Sequence, residues 1–241
     1  MTITCEKTRS NGKSSKLVTG IINLNKPPRL SSAAAVGRVK RLLERGTRVG
    51  HAGTLDPFAT GVLLILVGKA TKSCEKLMDE PKQYETTMKF GATTATDDCE
   101  APEIPWTNPR EPNIQEIERK LSSLIGRIEQ RPPAFSALKI AGQAAYKLAR
   151  RGKAVDLQPR PVRIDAIQIL DWQWPFLKLR IDCGRGTYIR AIARDLGEML
   201  GVGGYLTQLC RTRIGNFRVE NAVTLDQLSR DGIESHLQLL A

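Results

Sequence analysis

Histidine is close to absent from this chain: 241 residues contain two, His51 and His236. Cysteine is little commoner, at five residues, an odd number with no pair in C-x-x-C spacing. So few imidazole and thiolate ligands argue against a zinc site. Unpaired thiols fit a reduced, cytoplasmic compartment better than a disulfide scaffold. Long apolar runs are missing too. The longest, GVLLILVG at 61–68, falls far short of the roughly 20 residues of a membrane span and suits a buried element. The first sixteen residues, MTITCEKTRSNGKSSK, lack the apolar core of a secretory signal. They read as a flexible polar tail, leaving 17–241 as one domain. Acid is the scarcer charge. Lys and Arg number 37 against 25 Asp and Glu, for a net charge of +12 and a pI of about 9.7. Such an excess attracts polyanions, nucleic acid foremost.

What is present reads as interspersed strands and helices without a β-α-β rhythm, an α+β fold on a mixed, mostly antiparallel sheet. LVTGIINLNKPP (17–28) reads as a strand, and SSAAAVGRVKRLLERG (31–46) as a helix capped by Ser31 or Ser32 and ended by Gly46. A glycine-rich loop follows, then a short helix closed by Pro81 and a strand at 84–91. Residues 92–112 read as a polar surface excursion, and 113–126 as an amphipathic helix with Ile114, Ile117, Leu121 and Leu124 on one stripe. The segment 131–163 carries the densest basic charge. Strands near 162–170 and 176–183, a helix at 187–200, a strand near 205–217 and a helix near 224–230 complete the chain.

The stretch GHAGTLDPFATG at 50–61 poses the functional question. Asp before Pro is the signature of a helix N-cap, worth about 1 kcal/mol. The same position keeps a carboxylate ionised and would suit a nucleophile. Both readings of Asp56 stand. His51 reads as a solvated loop residue, a general base or a stacking wedge. Tyr84 and Tyr188 suit a strand or core as well as a site. Helical spacing places Arg190 beside Arg194 on the polar face of its helix. LILVGKATK is no P-loop, since the required glycine is replaced by Leu63, and GRGTYIR is no dinucleotide fingerprint.

Several motifs together carry a resemblance. GHAGTLDPFATGVLLILVGKATK, KQYETTMKFGATTATDD, RPPAFSALKIAGQAAYKLARRG and CGRGTYIRAIARDLGEMLGVGGYLTQLCRTRIG, in that order and after INLNKPPRLSS, resemble the TruB family of tRNA pseudouridine synthases over roughly residues 20–230. The resemblance implies the pseudouridine synthase fold and isomerisation of uridine 55 in the tRNA T loop, without metal or cofactor. The uracil is detached from its ribose, turned, and reattached through carbon 5. On that implication Asp56 is the nucleophilic carboxylate and Arg190 its partner. Tyr84 packs on the target base, and Tyr188 is a second active-site tyrosine. Leu209 lines the pocket. His51 enters the space left by the flipped base, and the glycines around it give that nucleotide clearance. Lys26 and the clasp residues Lys139, Arg150 and Arg151 meet the RNA. The basic stretch 131–163 is the RNA-clasping insertion.

Base flipping costs a few kcal/mol, which a wedge such as His51 offsets in part. Binding through phosphates should weaken steeply with salt. The expected partner is the tRNA T arm, with messenger RNA hairpins of T-loop shape as a further class, bound by a monomer with no membrane association. Three departures stand out: Phe135 where relatives often carry Tyr, Arg29 and Ser31 in place of the usual Gly and Thr, and no room for a C-terminal PUA domain. The last argues against the guide-RNA-dependent relatives. A member that kept the fold but lost catalysis, acting as a tRNA-folding chaperone, is the rival reading. A basic scaffold protein would explain the charge but not the ordered motifs.

Overall fold

The computed structural model describes residues 18–136, 138–140, 143–145 and 157–239. In chain order the N-terminal half holds β1 (Gly20–Lys26), α1 (Ser32–Arg41), β2 (Val49–Ala52), β3 (Thr60–Val67), a 3-10 turn running into α2 (Cys74–Asp79), β4 (Lys82–Phe90), β5 (Ala92–Thr94), β6 (Glu103–Pro105) and α3 (Ile114–Ser122). Then follow β7 (Gly126–Gln130), β8 (Lys139–Ile140), β9 (Gln143–Ala144), β10 (Arg160–Gln173), β11 (Phe176–Cys183), α4 (Ile189–Leu200), β12 (Gly204–Ile214), β13 (Phe217–Arg218) and α5 (Leu225–Asp231). The expected tail at 1–16 and much of the basic insertion lie outside the described residues.

The main sheet runs β1-β3-β12-β4-β11-β10-β7, with β2 added to β3 and β13 to β12. Every pairing is antiparallel except a short parallel contact of β12 with β3. That contact decides where the site sits. One edge of β3 is filled by β1 from Gly61 to Val67. The other edge is shared: β12 pairs with Thr60 and Gly61, and β2 with Leu64 to Val67. The loop from β2 to β3 therefore emerges in the middle of the sheet, where β2 and β12 meet. Asp56 is on this loop.

The apolar run of β3 is buried along nearly its whole length because both of its faces are covered. On one, Leu63, Ile65 and Val67 pack with α1 and α5 through Ala35, Val39 and Leu228. On the other, Val62, Leu64 and Leu66 pack with Leu77 of α2 and Ile214. Strands β4 and β11 differ, alternating buried and half-exposed residues with period 2. Their inner residues, Met88, Phe90, Leu177, Leu179 and Ile181, form the largest core with Ile117 and Leu121 of α3 and Ile192 and Leu196 of α4. Each such side chain contributes about 2 kcal/mol of burial.

Two expectations change. The first helix ends at Leu42, not Gly46, because Thr47 folds back onto the Glu44 carbonyl through both its amide and its hydroxyl. That turn brings Val49 to its partner Val67. The excursion at 92–112 contains the β5–β6 hairpin and, as shown below, part of the site.

Candidate active site

Asp56 does not cap a helix. The chain after it makes a single turn, with the Ala59 amide donating to the Asp56 carbonyl at 3.2 Å, and passes straight into β3. No helix of its own segment bears on the carboxylate. An arginine does instead. Arg190 Nε donates to Asp56 Oδ2 at 2.9 Å and Nη2 to Oδ1 at 3.1 Å, the bidentate geometry that suits a planar guanidinium. The same guanidinium donates to the Thr96 and Phe135 carbonyls, each at 2.9 Å, and approaches Asp98 Oδ2 at 3.5 Å. Arg190 is buried in the first turn of α4, while the Asp56 side chain stays 30% exposed. The polar-face estimate for Arg190 is thus corrected: the face it shares with Arg194 is covered by the 96–98 and 131–135 segments. Arg194 likewise binds Asp97, Asp195 and the Arg131 carbonyl.

Burial dominates the ionisation of this neighbourhood. It pushes Asp97 up to about 6, opposed by Arg194. Asp98 is raised for the same reason, against hydrogen bonds from the Thr96 hydroxyl and the Glu100 amide.

The carboxylate opens into a cleft of about 260 Å³ lined by Tyr84, Tyr188, Leu209, Lys82, Arg185 and Arg211 among others. Tyr84 reaches it from β4, opposite Arg211 on β12 and Ile181 on β11. Tyr188 stands just before α4, its backbone gripped by Gln130, whose side-chain amide accepts from Tyr188 N (2.9 Å) and donates to Tyr188 O (3.2 Å). Burial holds both phenols above their ordinary value, so both are protonated at neutral pH. Among the described residues lining the cleft, Asp56 is the only carboxylate.

A second arginine shapes the loop. Arg211 is 1% exposed. Its donors go to backbone carbonyls: Nε to Val62 (2.8 Å), Nη2 to Gly53 (3.1 Å) and, more weakly, Nη1 to Thr54 (3.4 Å). Its own carbonyl excludes a side chain at Gly61, where a Cβ would sit 2.3 Å away at a φ of +97°. Gly61 thus serves the close approach of β3 to β12, not clearance for a nucleotide.

The family-model comparison matches this architecture in two consecutive parts. Residues 40–189 match the TruB family pseudouridylate synthase N-terminal domain, and 190–238 the tRNA pseudouridylate synthase B C-terminal domain. The chain belongs to the TruB family. Among its relatives is a tRNA pseudouridine synthase B of Aromatoleum aromaticum, 45% identical over 94% of this chain and 73% of that protein. Proteins of the same name from Mycobacterium tuberculosis and Phocaeicola vulgatus are each 44% identical, over 87% and 86% of this chain and 72% and 90% of theirs. Among solved structures, a Cbf5-Nop10-Gar1 complex superposes with a TM-score of 0.67 at 29% identity, over 90% of this chain and 57% of that one. An H/ACA RNP bound to a substrate RNA containing 2'-deoxyuridine gives 0.64 at 27%, over 90% and 56%. This chain therefore spans little more than half the length of those two structural neighbours.

Within this TruB-type site the structure gathers Asp56, Tyr84, Tyr188, Arg190 and Leu209 around one cleft. His51 is not among the cleft-lining residues. It lies on β2 opposite Ile65, half-buried, at the entry to the Asp56 loop. Burial and then the Arg211 charge hold its pKa below the ordinary histidine value, so its ring is neutral at neutral pH. Lys26 is fully buried. Its ammonium donates to the carbonyls of Pro27 (2.9 Å), Leu30 (2.7 Å) and Pro57 (3.1 Å), so it fastens the Asp56 loop and does not face RNA. Lys139 opens β8, and Arg150 and Arg151 lie outside the described residues.

Arg211, Lys82, Gln130 and Asp98 were not anticipated. Arg211 had a signal: it follows the inward-facing Leu209 by two residues in a strand and so shares its face. Lys82 had the same signal, standing two residues before Tyr84 in β4, while Gln130 and Asp98 are placed by tertiary packing alone.

Proposed function

We propose that this chain converts uridine 55 in the T loop of tRNA to pseudouridine, acting as a cytoplasmic monomer on the T arm. The observation that carries the reading is the bidentate Arg190–Asp56 pair at the cleft, in a chain of TruB-family sequence. Arg190 fixes the plane of the carboxylate, and the 30% exposure of Asp56 leaves its free lone pairs to the cleft. A uridine flipped into that space presents its glycosidic carbon to a carboxylate that needs no separate base to act as nucleophile. Tyr84, Tyr188 and Leu209 supply stacking and apolar surface for the detached uracil while it turns.

Once carbon 5 is bonded to the ribose, its proton must leave. Both tyrosines are held protonated, so neither is a ready acceptor. Asp56 is the one carboxylate among the described residues lining the cleft, and it serves both the bond-breaking and the proton-accepting steps in this reading. His51, neutral and beside the loop, is suited to occupy the position vacated by the base. A catalytically dead chaperone would have no need of an aligned ion pair at an open cleft.

The test is chemical mapping of pseudouridine in an unmodified T-arm transcript after incubation with wild type and Asp56→Asn. Wild type is expected to modify the one uridine, and the variant to lose at least ~10³-fold in rate while still binding. No product from the wild type would sink the enzyme reading, and full activity in the variant would sink the assigned nucleophile.

A further inference from the structure

The cleft is lined by four cations, Lys82, Arg185, Arg190 and Arg211, beside the one carboxylate of Asp56 among its described residues. Three of the four are engaged. Arg190 holds Asp56 and Asp98, Arg185 holds Glu75 and Asp79, and Arg211 holds backbone carbonyls of the loop. Lys82 is left over. Its side chain is buried, and its ammonium forms no ion pair among the described residues. It donates to the carbonyls of Met78 and, at 2.6 Å, Glu80, where α2 ends. An ammonium has three donors, so the third is without a partner among the described residues.

The position of Lys82 ties it to the reacting base. It stands two residues before Tyr84 in β4, on the same buried face. Its strand neighbours are Cys183 of β11 and Ile214 of β12, neither of them an acid. Burial, then the nearby Arg211 charge, lowers its pKa to about 8, opposed by Cys183 and Asp79. Asp79 is itself taken by Arg185. The ammonium is thus unfavourable by itself and becomes favourable beside an anion.

We propose that Lys82 is a catalytic residue, stabilising the negative charge that the uracil carries while it is detached from the ribose. The inference rests on the nucleophile reading above. As an Asp56 oxygen bonds to carbon 1 of the ribose, the bond from that carbon to uracil N1 breaks. Its electron pair leaves with the base, which then spreads one negative charge over N1 and the two carbonyl oxygens. The third N–H of Lys82 donates to one of those oxygens, and the ammonium keeps its proton throughout. The charge is gone once carbon 5 bonds to the ribose and Asp56 departs with its electron pair. The carbon 5 proton then passes to Asp56, and N1 takes one from water. Lys82 therefore meets a charge that exists in neither uridine nor pseudouridine, which is where a donor fixed in advance lowers a barrier.

The experiment follows Lys82→Met and Lys82→Gln on T-arm RNA with either uridine or 5-fluorouridine at the target position. Fluorine withdraws electrons, so 5-fluorouracil bears the negative charge more readily and depends less on the ammonium. Single-turnover conversion is read as loss of the parent nucleoside from nuclease digests. On uridine both variants are expected to be ~10²-fold slower, as on removal of one such donor. On 5-fluorouridine the loss should shrink to ~10-fold or less, because less charge is left to stabilise. RNA affinity should be unchanged. Lys82→Gln keeps an amide donor for the carbonyls at the end of α2, so it carries the comparison where Lys82→Met does not fold.

An equal loss on the two bases would reduce Lys82 to a clamp on α2 and overturn the proposal. So would wild-type rates on uridine. A loss confined to Kd would place the ammonium on a phosphate and overturn it as well. A wild type that makes no pseudouridine sinks the enzyme reading and this inference together, whereas an active wild type with unaffected variants sinks this inference alone.

Discussion

Two buried arginines bear on the Asp56 loop, and they hold different things. Arg190, from the first turn of α4, binds the carboxylate itself. Arg211, from β12, binds the backbone on either side of it, at Gly53, Thr54 and Val62. Arg190 has carboxylates to neutralise its charge, Asp56 and Asp98. Arg211 has carbonyl dipoles, the arrangement expected of a guanidinium that serves as a structural clamp. One arginine orients the reacting group, and the other shapes the loop that carries it. They should therefore separate under mutation, one toward rate and the other toward stability.

Arg190→Ala should show the largest effect. The Asp56 carboxylate loses both hydrogen bonds that fix its plane, and misplacing a reactive group by an ångström costs about 10²-fold. A loss of about 10³-fold in kcat is expected. Stability should also fall by about 3–5 kcal/mol, because Asp98 is left buried without its cation. Arg190→Lys keeps the charge but not the fork and should recover the stability while kcat remains about 10²-fold low. Single-turnover rates with denaturant melts check both. Wild-type kcat in Arg190→Lys would break the claim that bidentate geometry matters.

Arg211→Met is the mirror case. It strands carbonyls of Gly53, Thr54 and Val62, at about 1–3 kcal/mol for each one left unsatisfied. Thermal or urea unfolding should report a loss of about 3 kcal/mol or more, with kcat lowered much less than in Arg190→Lys wherever the variant stays folded. A larger rate loss than stability loss would merge the two arginines into one role. Gly61→Ala attacks the same clamp from the other strand, forcing a Cβ against the Arg211 carbonyl. About 2 kcal/mol is expected from that clash and the left-handed backbone, read as a lowered Tm. An unchanged Tm would mean that β3 and β12 can part without loss.

What the sequence disclosed follows from which forces are local. Alternation placed Tyr84 on a strand face, helical periodicity placed Ile117 and Leu121 inward, and Gly201 marked the end of α4. The ordered motifs alone point to Asp56 and its neighbours. The misplacements share one cause. Asp56-Pro57 has the local signature of a helix cap, yet β3 begins three residues after Pro57 because Thr60 and Gly61 must meet Cys210 and Arg211. Arg190 had polar-face spacing on its helix, and only the remote 96–98 and 135 segments bury it. Lys26 is assigned to the RNA by the resemblance alone, and its three carbonyl partners come from the segment that follows β1 and from the Asp56 loop.

Lys26 extends the comparison to a third cation, because it also grips the Asp56 loop through the Pro57 carbonyl. It allows the gentlest test. Burial lowers its pKa from 10.5 to about 8, against the attraction of Asp56. Below about pH 8 the folded state carries the full cost of the buried charge. Between about pH 8 and 10.5 the unfolded chain still holds the proton that the folded chain has released. The unfolded state then binds more protons, so this group makes stability rise with pH across that window. Lys26→Met has no such proton, and the titrations of Lys82 and Tyr84 are common to both proteins and cancel in the difference. The stability of wild type relative to Lys26→Met should be flat below pH 7 and climb from pH 8 to 10. A difference that stays level through pH 10 would show that the ammonium remains charged on its three carbonyls. Lys26 would then join Arg211 as a permanently charged clamp on the loop.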